Sequence, residues 1–263
     1  MVYSGVRRQR VDAITQTLWQ APGLPFGLRR RDVNSDPDTN AQTLVVDIPP
    51  GWEMDESWNE SDLEFLVESG DLAVAGRECG AGHYLFLPSG TPLGRIASTT
   101  GARLILWLNE QFVVRTDAPP TPRFAVQETS DIYDEMNWAT VQDAFAGVTD
   151  TTSHRDIQVP TRCIRLRKHE ESGQDTILFV MPAAYSKSAL EVHHSAEELF
   201  FLKGWCATDP DHVYEPGDYM CWAPGTIHGV VRAWSSVVLS KHHGKLTSPE
   251  VPLGVTSFEG QLA

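Results

Sequence analysis

Basic residues are scarce in this chain. Lysine and arginine total 21 against 35 aspartates and glutamates, which leaves a formal net charge of −14. A chain this acidic lacks the basic footprint that nucleic acid or an anionic membrane surface requires, so neither is expected as a partner. Long apolar runs are missing too. No stretch approaches the roughly 18 consecutive apolar residues that cross a bilayer as a helix. Arg7, Arg8 and Arg10 lie near the start, but no apolar segment follows them, so a secretory signal is not expected. Cysteine is limited to Cys79, Cys163, Cys206 and Cys221, widely spaced and without a CxxC pair. That usage suits buried free thiols in a reducing cytoplasm. Sustained helical periodicity is also absent, and Thr140–Phe145 is the best helical segment.

What remains is β-type pattern. The 263 residues, 41% hydrophobic and 21% charged, suit one large domain or two halves with modest cores. Short apolar runs punctuated by Gly and Pro recur at Thr43–Ile48, Leu63–Val67, Asp71–Ala75, Tyr84–Leu87 and Ala102–Leu108. Such spacing predicts an all-β sandwich or barrel.

The chain also repeats itself. Thr43-Leu44-Val45 parallels Thr176-Ile177-Leu178, Gly70 parallels Gly204, Gly82-His83-Tyr84 parallels Gly217-Asp218-Tyr219, and Gly90-Thr91-Pro92-Leu93-Gly94 parallels Gly225-Thr226-Ile227-His228-Gly229. The offsets of 133, 134, 135 and 135 are those of one duplicated domain with small loop changes. Between the copies, Thr116–Pro160 opens with Pro119-Pro120-Thr121-Pro122, which favours an extended linker. The expected division is therefore 1–122 and 123–263.

The second copy carries a cluster that the first does not. In Glu191-Val192-His193 a carboxylate and an imidazole stand two residues apart, so a strand would aim both at one centre. Glu197 opens the next apolar run and shares its face with Leu199 and Phe201, up to a turn at Gly204. A strand over Tyr219–Trp222 would run into Pro224-Gly225 and deliver His228. Subtracting 134 from Glu191, His193 and Glu197 lands on Ser57, Asn59 and Leu63, and subtracting 135 from His228 lands on Leu93. No ligand-type side chain survives in the first half, which is expected to bind no metal.

Glu191-x-His193-x3-Glu197-x6-Gly204, followed by Gly217 and by Pro224-Gly225-x2-His228, resembles the two motifs of the cupin family. Glutamate stands where the first motif histidine usually sits, the proline lies one position late, and Arg232 replaces the terminal Asn. The Glu-x-His pair is also similar to the Mn²⁺ site of the ureidoglycine aminohydrolases, themselves two-cupin proteins. Both halves resemble the cupins related to anti-sigma-factor domains and acetylacetone-cleaving oxygenases, weakly over 43–110 and well over 162–240. The resemblance implies two tandem double-stranded β-helix (jelly-roll) barrels, the first degenerate and the second holding a divalent metal on Glu191, His193, Glu197 and His228. It also implies a small-molecule substrate and, because cupin edge strands often pair between subunits, a homodimer.

Other histidines compete for the role. His194 is the rival of Glu191, although strand alternation turns it away unless a bulge re-aims it. His212, His242 and His243 read as solvated, His83 as a surface residue beside a turn, and His154 and His169 lack a partner pattern. Arg232 reads as an exposed strand residue rather than a substrate anchor. Tyr185, Tyr219, Trp205 and Trp222 divide between cavity and core in a way the sequence leaves open.

Two imidazoles with one or two carboxylates suit Fe²⁺, Mn²⁺, Ni²⁺ or Zn²⁺. With iron first, the expectation is an O₂-dependent cleavage of a small β-dicarbonyl or phenolic substrate, in which Glu191 or Glu197 holds the metal's charge down. Mn²⁺ or Zn²⁺ would instead serve hydrolysis, isomerisation or polyketide-type cyclisation. A non-catalytic sensor of metal or small ligand is the third reading.

Overall fold

The computed structural model describes residues 7–146, 161–168, 171–209, 212–247 and 249–251. Nearly every element is an antiparallel strand, and the chain divides into two compact units, residues 13–134 and residues 1–12 with 135–263. Each is a curled β-sheet of jelly-roll type.

In the 13–134 unit, Gln42–Ile48, Ala102–Leu108, Leu63–Val74 and Tyr84–Leu87 lie side by side, and Trp52–Asn59 pairs with Pro92–Ser98. Alternate residues turn inward, so Leu44 and Val46, Phe65 and Val67, Leu85 and Leu87, and Leu104, Leu106 and Leu108 form one core. The expected runs at 63–67 and 71–75 are one strand, Leu63–Val74, that bends at a bulge instead of ending.

The other unit orders its strands as Arg7–Arg10, Asp218–Trp222, Glu197–Asp209, Val231–His242, Asp175–Met181 and Arg162–Lys168. A smaller sheet joins Leu190–Val192 to Ile227–His228 and Glu250–Val251. One helical turn, Val141–Ala144, is capped by Thr140, whose side chain accepts from the Asp143 amide.

The division differs from a linker at 122. Gln127–Thr129 zips onto Tyr84–Phe86, and Ile132 is fully buried with its amide donating to the Gly82 carbonyl, which carries the first unit on to 134. At the other end Arg7–Arg10 pairs with Asp218–Cys221, so that strand belongs to the second unit.

The internal repeat reaches the backbone. Gly70 and Gly204 take φ of +83° and +66°, and a Cβ on either would collide with a carbonyl, that of Gly101 in one unit and of Ser235 in the other. Gly101 and Ser235 are 134 residues apart and both have positive φ, +90° and +53°. The same crossing is built twice, once with glycine on both sides and once with a serine held in the left-handed region.

Candidate metal centre

The inner face of the second unit positions the site. Glu191 lies on Leu190–Val192 opposite His228, and His193 follows directly after that strand. Glu197 opens the long strand and is flanked by Trp222 on one side and His242 on the other as Cα partners. Because parity turns Glu197, Leu199 and Phe201 to one face, the carboxylate enters a cavity of about 80 Å³ whose other walls include Phe179, Met181, Tyr185, Trp222 and Val238.

All four sequence-selected residues meet there and are buried: Glu191, His193, Glu197 and His228 are 5–8% exposed. Glu197 is the hub. Its Oε2 lies 3.2 Å from His193 Nε2 and 3.3 Å from His228 Nε2, and Glu191 Oε1 lies 3.9 Å from His228 Nε2. Trp222 stacks on the His228 ring with centroids 3.9 Å apart at 18°.

A fifth residue joins them. His242 is 2% exposed, and its Nε2 lies 3.4 Å from Glu197 Oε1, which also accepts from the Ser240 hydroxyl at 2.7 Å. Its expected solvation is therefore corrected: as Cα partner of Glu197 on a central strand, it is carried inside by the pairing. His243 is turned to the opposite side and meets Glu198 Oε1 at 2.9 Å, where Glu198 is fully buried away from the cavity. His83 is likewise not a surface residue, being 4% exposed and 3.0 Å from Glu128, which the 127–129 strand brings across. His194 and Arg232 are exposed, as is His212, which meets Arg8. His154 and His169 lie outside the described residues. Of the aromatic set, Tyr185 and Trp222 line the cavity, Tyr219 packs on Phe200 and Trp205 is exposed.

Lys187 is the other residue that the sequence did not single out. It is 6% exposed, lines the cavity, and contacts Glu191 Oε1 through its ammonium group.

The donor set fits a divalent ion. His193 Nδ1 and His228 Nδ1 lie 2.6 and 2.9 Å from the Thr247 and Thr226 carbonyl oxygens, so each Nδ1–H donates to backbone and each Nε2 faces the carboxylates. With its Nδ1 turned to backbone, His228 presents a buried Nε2 to both carboxylates, as an imidazole placed to share a ligand with them would. Among the described residues, two trios bring three ligand atoms within 4.8 Å of one another: Glu191, His193 and His228, and His193, Glu197 and His242.

Electrostatics follow the same geometry. Burial alone would lower the His193 pKa, but Glu197 and then Glu191 outweigh it and raise the group to about 9. Burial would raise Glu197, yet His242 and His193 overturn that and hold it well below the ordinary carboxylate range. His242 goes the other way, lowered to about 3 chiefly by burial, against the pull of Glu197. Burial and then Glu191 push the Tyr185 phenol up, leaving it a neutral donor.

Residues 142–247 match a family of ChrR cupin-like domains. No curated protein is similar to the chain in sequence. Among solved structures, a "putative dioxygenase" from Nostoc punctiforme is 17% identical with a TM-score of 0.76, covering 98% of this chain and 88% of that one. Bacillus subtilis oxalate decarboxylase is 14% identical with a TM-score of 0.52, over 94% and 79% of the two chains. Streptomyces albus HEPD, solved with 2-hydroxyethylphosphonate and Fe(II), is 10% identical with a TM-score of 0.52, over 91% and 76%. At these identities the structures share a fold with the chain, and the match over 142–247 marks that segment as similar to the cupin-like domains.

Proposed function

We propose that the second unit is a metal-dependent catalytic centre for a small organic substrate, and first of all an oxygenase that cleaves a β-dicarbonyl or phenolic compound. Glu191, His193, Glu197 and His228 would hold the ion, with Fe²⁺ favoured. The observation that carries this reading is the convergence of three buried imidazoles on the Glu197 carboxylate in an apolar cavity. A divalent ion there would supply Lewis acidity and, if it is iron, access to O₂ chemistry.

The chain's own residues do the rest. His193 and His228 are held in the ligating tautomer by backbone carbonyls, and Trp222 fixes the His228 ring. Glu191 and Glu197 supply the negative charge that a divalent ion requires. Phe179, Met181, Phe201 and Val238 exclude water and match an apolar substrate body. The dioxygenase-like name of the Nostoc structure is consistent with this reading.

A second reading, a Mn²⁺ or Zn²⁺ hydrolase, isomerase or cyclase, draws on Glu191. A second carboxylate 3.9 Å from His228 Nε2 leaves fewer open positions on the ion. Elemental analysis of the purified protein beside His228→Leu separates these outcomes. About one metal per chain, lost in the variant, supports the centre. Iron with substrate-dependent oxygen uptake favours the oxygenase, and manganese or zinc favours the second reading. No metal, even after reconstitution, overturns both.

A further inference from the structure

The cavity contains a cation that the metal centre alone does not explain. Lys187 ends the Tyr185–Lys187 strand, which pairs along Val231–Ala233. The alternation that exposes Ser186 turns Tyr185 and Lys187 inward together. Its ammonium group contacts Glu191 Oε1, and both residues are buried. A buried ammonium is costly unless a counter-charge stays beside it. Among the described residues that line the cavity, Lys187 is the one lysine or arginine.

Glu191 thus has two claims on it. It faces Lys187 and also belongs to a trio with His193 and His228 that could hold an ion. A divalent ion is balanced by Glu191 and Glu197 together, and the Lys187 charge then has no equivalent among the cavity walls. The loaded site carries one net positive charge inside apolar walls made by Phe179, Met181, Phe201 and Val238. A neutral ligand would leave that charge unanswered, and a dianion would overshoot it.

Resting on the metal reading above, we infer that Lys187 is an anion-binding residue and that the site takes a small monoanion with an apolar body, its anionic oxygen shared between the Lys187 ammonium group and the metal position. Carboxylates and enolates or phenolates provide that oxygen equally well. Neutral esters, amides and ketones of the same shape do not.

The test uses the full chain, loaded with metal and assayed for metal content, and follows tryptophan fluorescence, to which Trp222 in the cavity wall contributes. Benzoate against benzamide probes the carboxylate arm, and acetylacetonate against 2-pentanone probes the enolate arm. At least one anion binds wild type about tenfold or more tighter than its neutral partner. Lys187→Met abolishes that preference while the metal stays at about one per chain, and Lys187→Arg keeps most of it. The arm that shows the preference identifies the source of the oxygen. A metal-loaded wild type that binds neither anion, or binds each neutral partner as tightly, overturns this inference alone, whether or not the methionine variant folds. An undiminished anion preference in metal-loaded Lys187→Met does the same. A wild type that takes up no metal overturns the metal reading and this inference together.

Discussion

Glu197 and His242 are Cα partners across two central strands of the second unit, and Leu63 and Leu108 occupy the same register in the first. Where one unit buries a carboxylate and an imidazole, the other buries two leucines that belong to its core. The substitution His242→Leu therefore has a built precedent for packing. It removes the imidazole beside Glu197 Oε1, and metal affinity should fall about 10- to 100-fold, the usual loss when a partner that orients or completes a ligand is removed. Metal titration measures the loss, and a melting temperature of the metal-free variant at or above that of metal-free wild type shows that the fold survives.

Proton release should accompany metal uptake. His193 has a pKa of about 9 in the metal-free protein and is protonated near neutrality, whereas a ligating imidazole is neutral. Calorimetry in buffers of different ionisation enthalpy at pH 7.5 should report about one proton released per ion. Apparent affinity should rise about tenfold per pH unit until the pH approaches 9.

The same group gives the metal-free fold a pH dependence of definite sign. His193 titrates higher in the folded state than its ordinary 6.5, so its contribution is complete below 6.5 and is lost as pH rises through about 9. Glu197, lowered well below 4.5, contributes above 4.5 and loses that contribution on acidification. Urea denaturation of the chelated protein should show stability falling between pH 6.5 and 9, and adding metal should remove most of that slope.

Much of this was legible in the chain itself, and the exceptions share a cause. Tyr84–Leu87 and Ala102–Leu108 match their predicted bounds, because a continuous apolar run between turns has few other uses. Glu191, His193, Glu197 and His228 come together because they lie within a residue or two of strand ends whose positions the turns dictate. His242, His83 and Lys187 were missed because their burial depends on pairing with distant strands. A histidine before His243-Gly244 or a lysine between two serines reads as solvated from its neighbours alone. One sequence signal did exist for His242: subtracting 134 gives Leu108, the same loss of a ligand type that marks Glu197 and His228. Lys187 offers no such signal, since its counterpart at that offset, Glu53, is exposed.

Ser235 provides a test of the repeated crossing. It holds φ of +53°, a region that costs a non-glycine residue roughly 1 kcal/mol or more, at the place where the first unit has Gly101. Ser235→Gly should stabilise the protein by about 0.5–1 kcal/mol, while Gly204→Ala, whose new Cβ meets the Ser235 carbonyl, should destabilise it by at least about 2 kcal/mol. Denaturation midpoints compared at constant m-value read both effects.

The thiols should be slow to react while the fold is intact. Burial pushes Cys163 and Cys206 up to about 12 and Cys79 up to about 11, and all four cysteines are buried and free. A chromogenic disulfide reagent at pH 8 should label the native protein over hours and the urea-unfolded protein within minutes, reaching four thiols per chain.

The strand Arg7–Arg10 pairs with Asp218–Cys221, partners more than 200 residues apart in sequence. During synthesis the 13–134 unit can close as soon as its last strand leaves the ribosome, while the Arg7–Arg10 strand must wait for a surface that does not yet exist. Closing so long a loop is entropically costly and comes late in folding. Until it closes, the Asp218–Trp222 strand presents an unpaired edge to any other strand in reach, a window in which two nascent copies could exchange their Arg7–Arg10 strands.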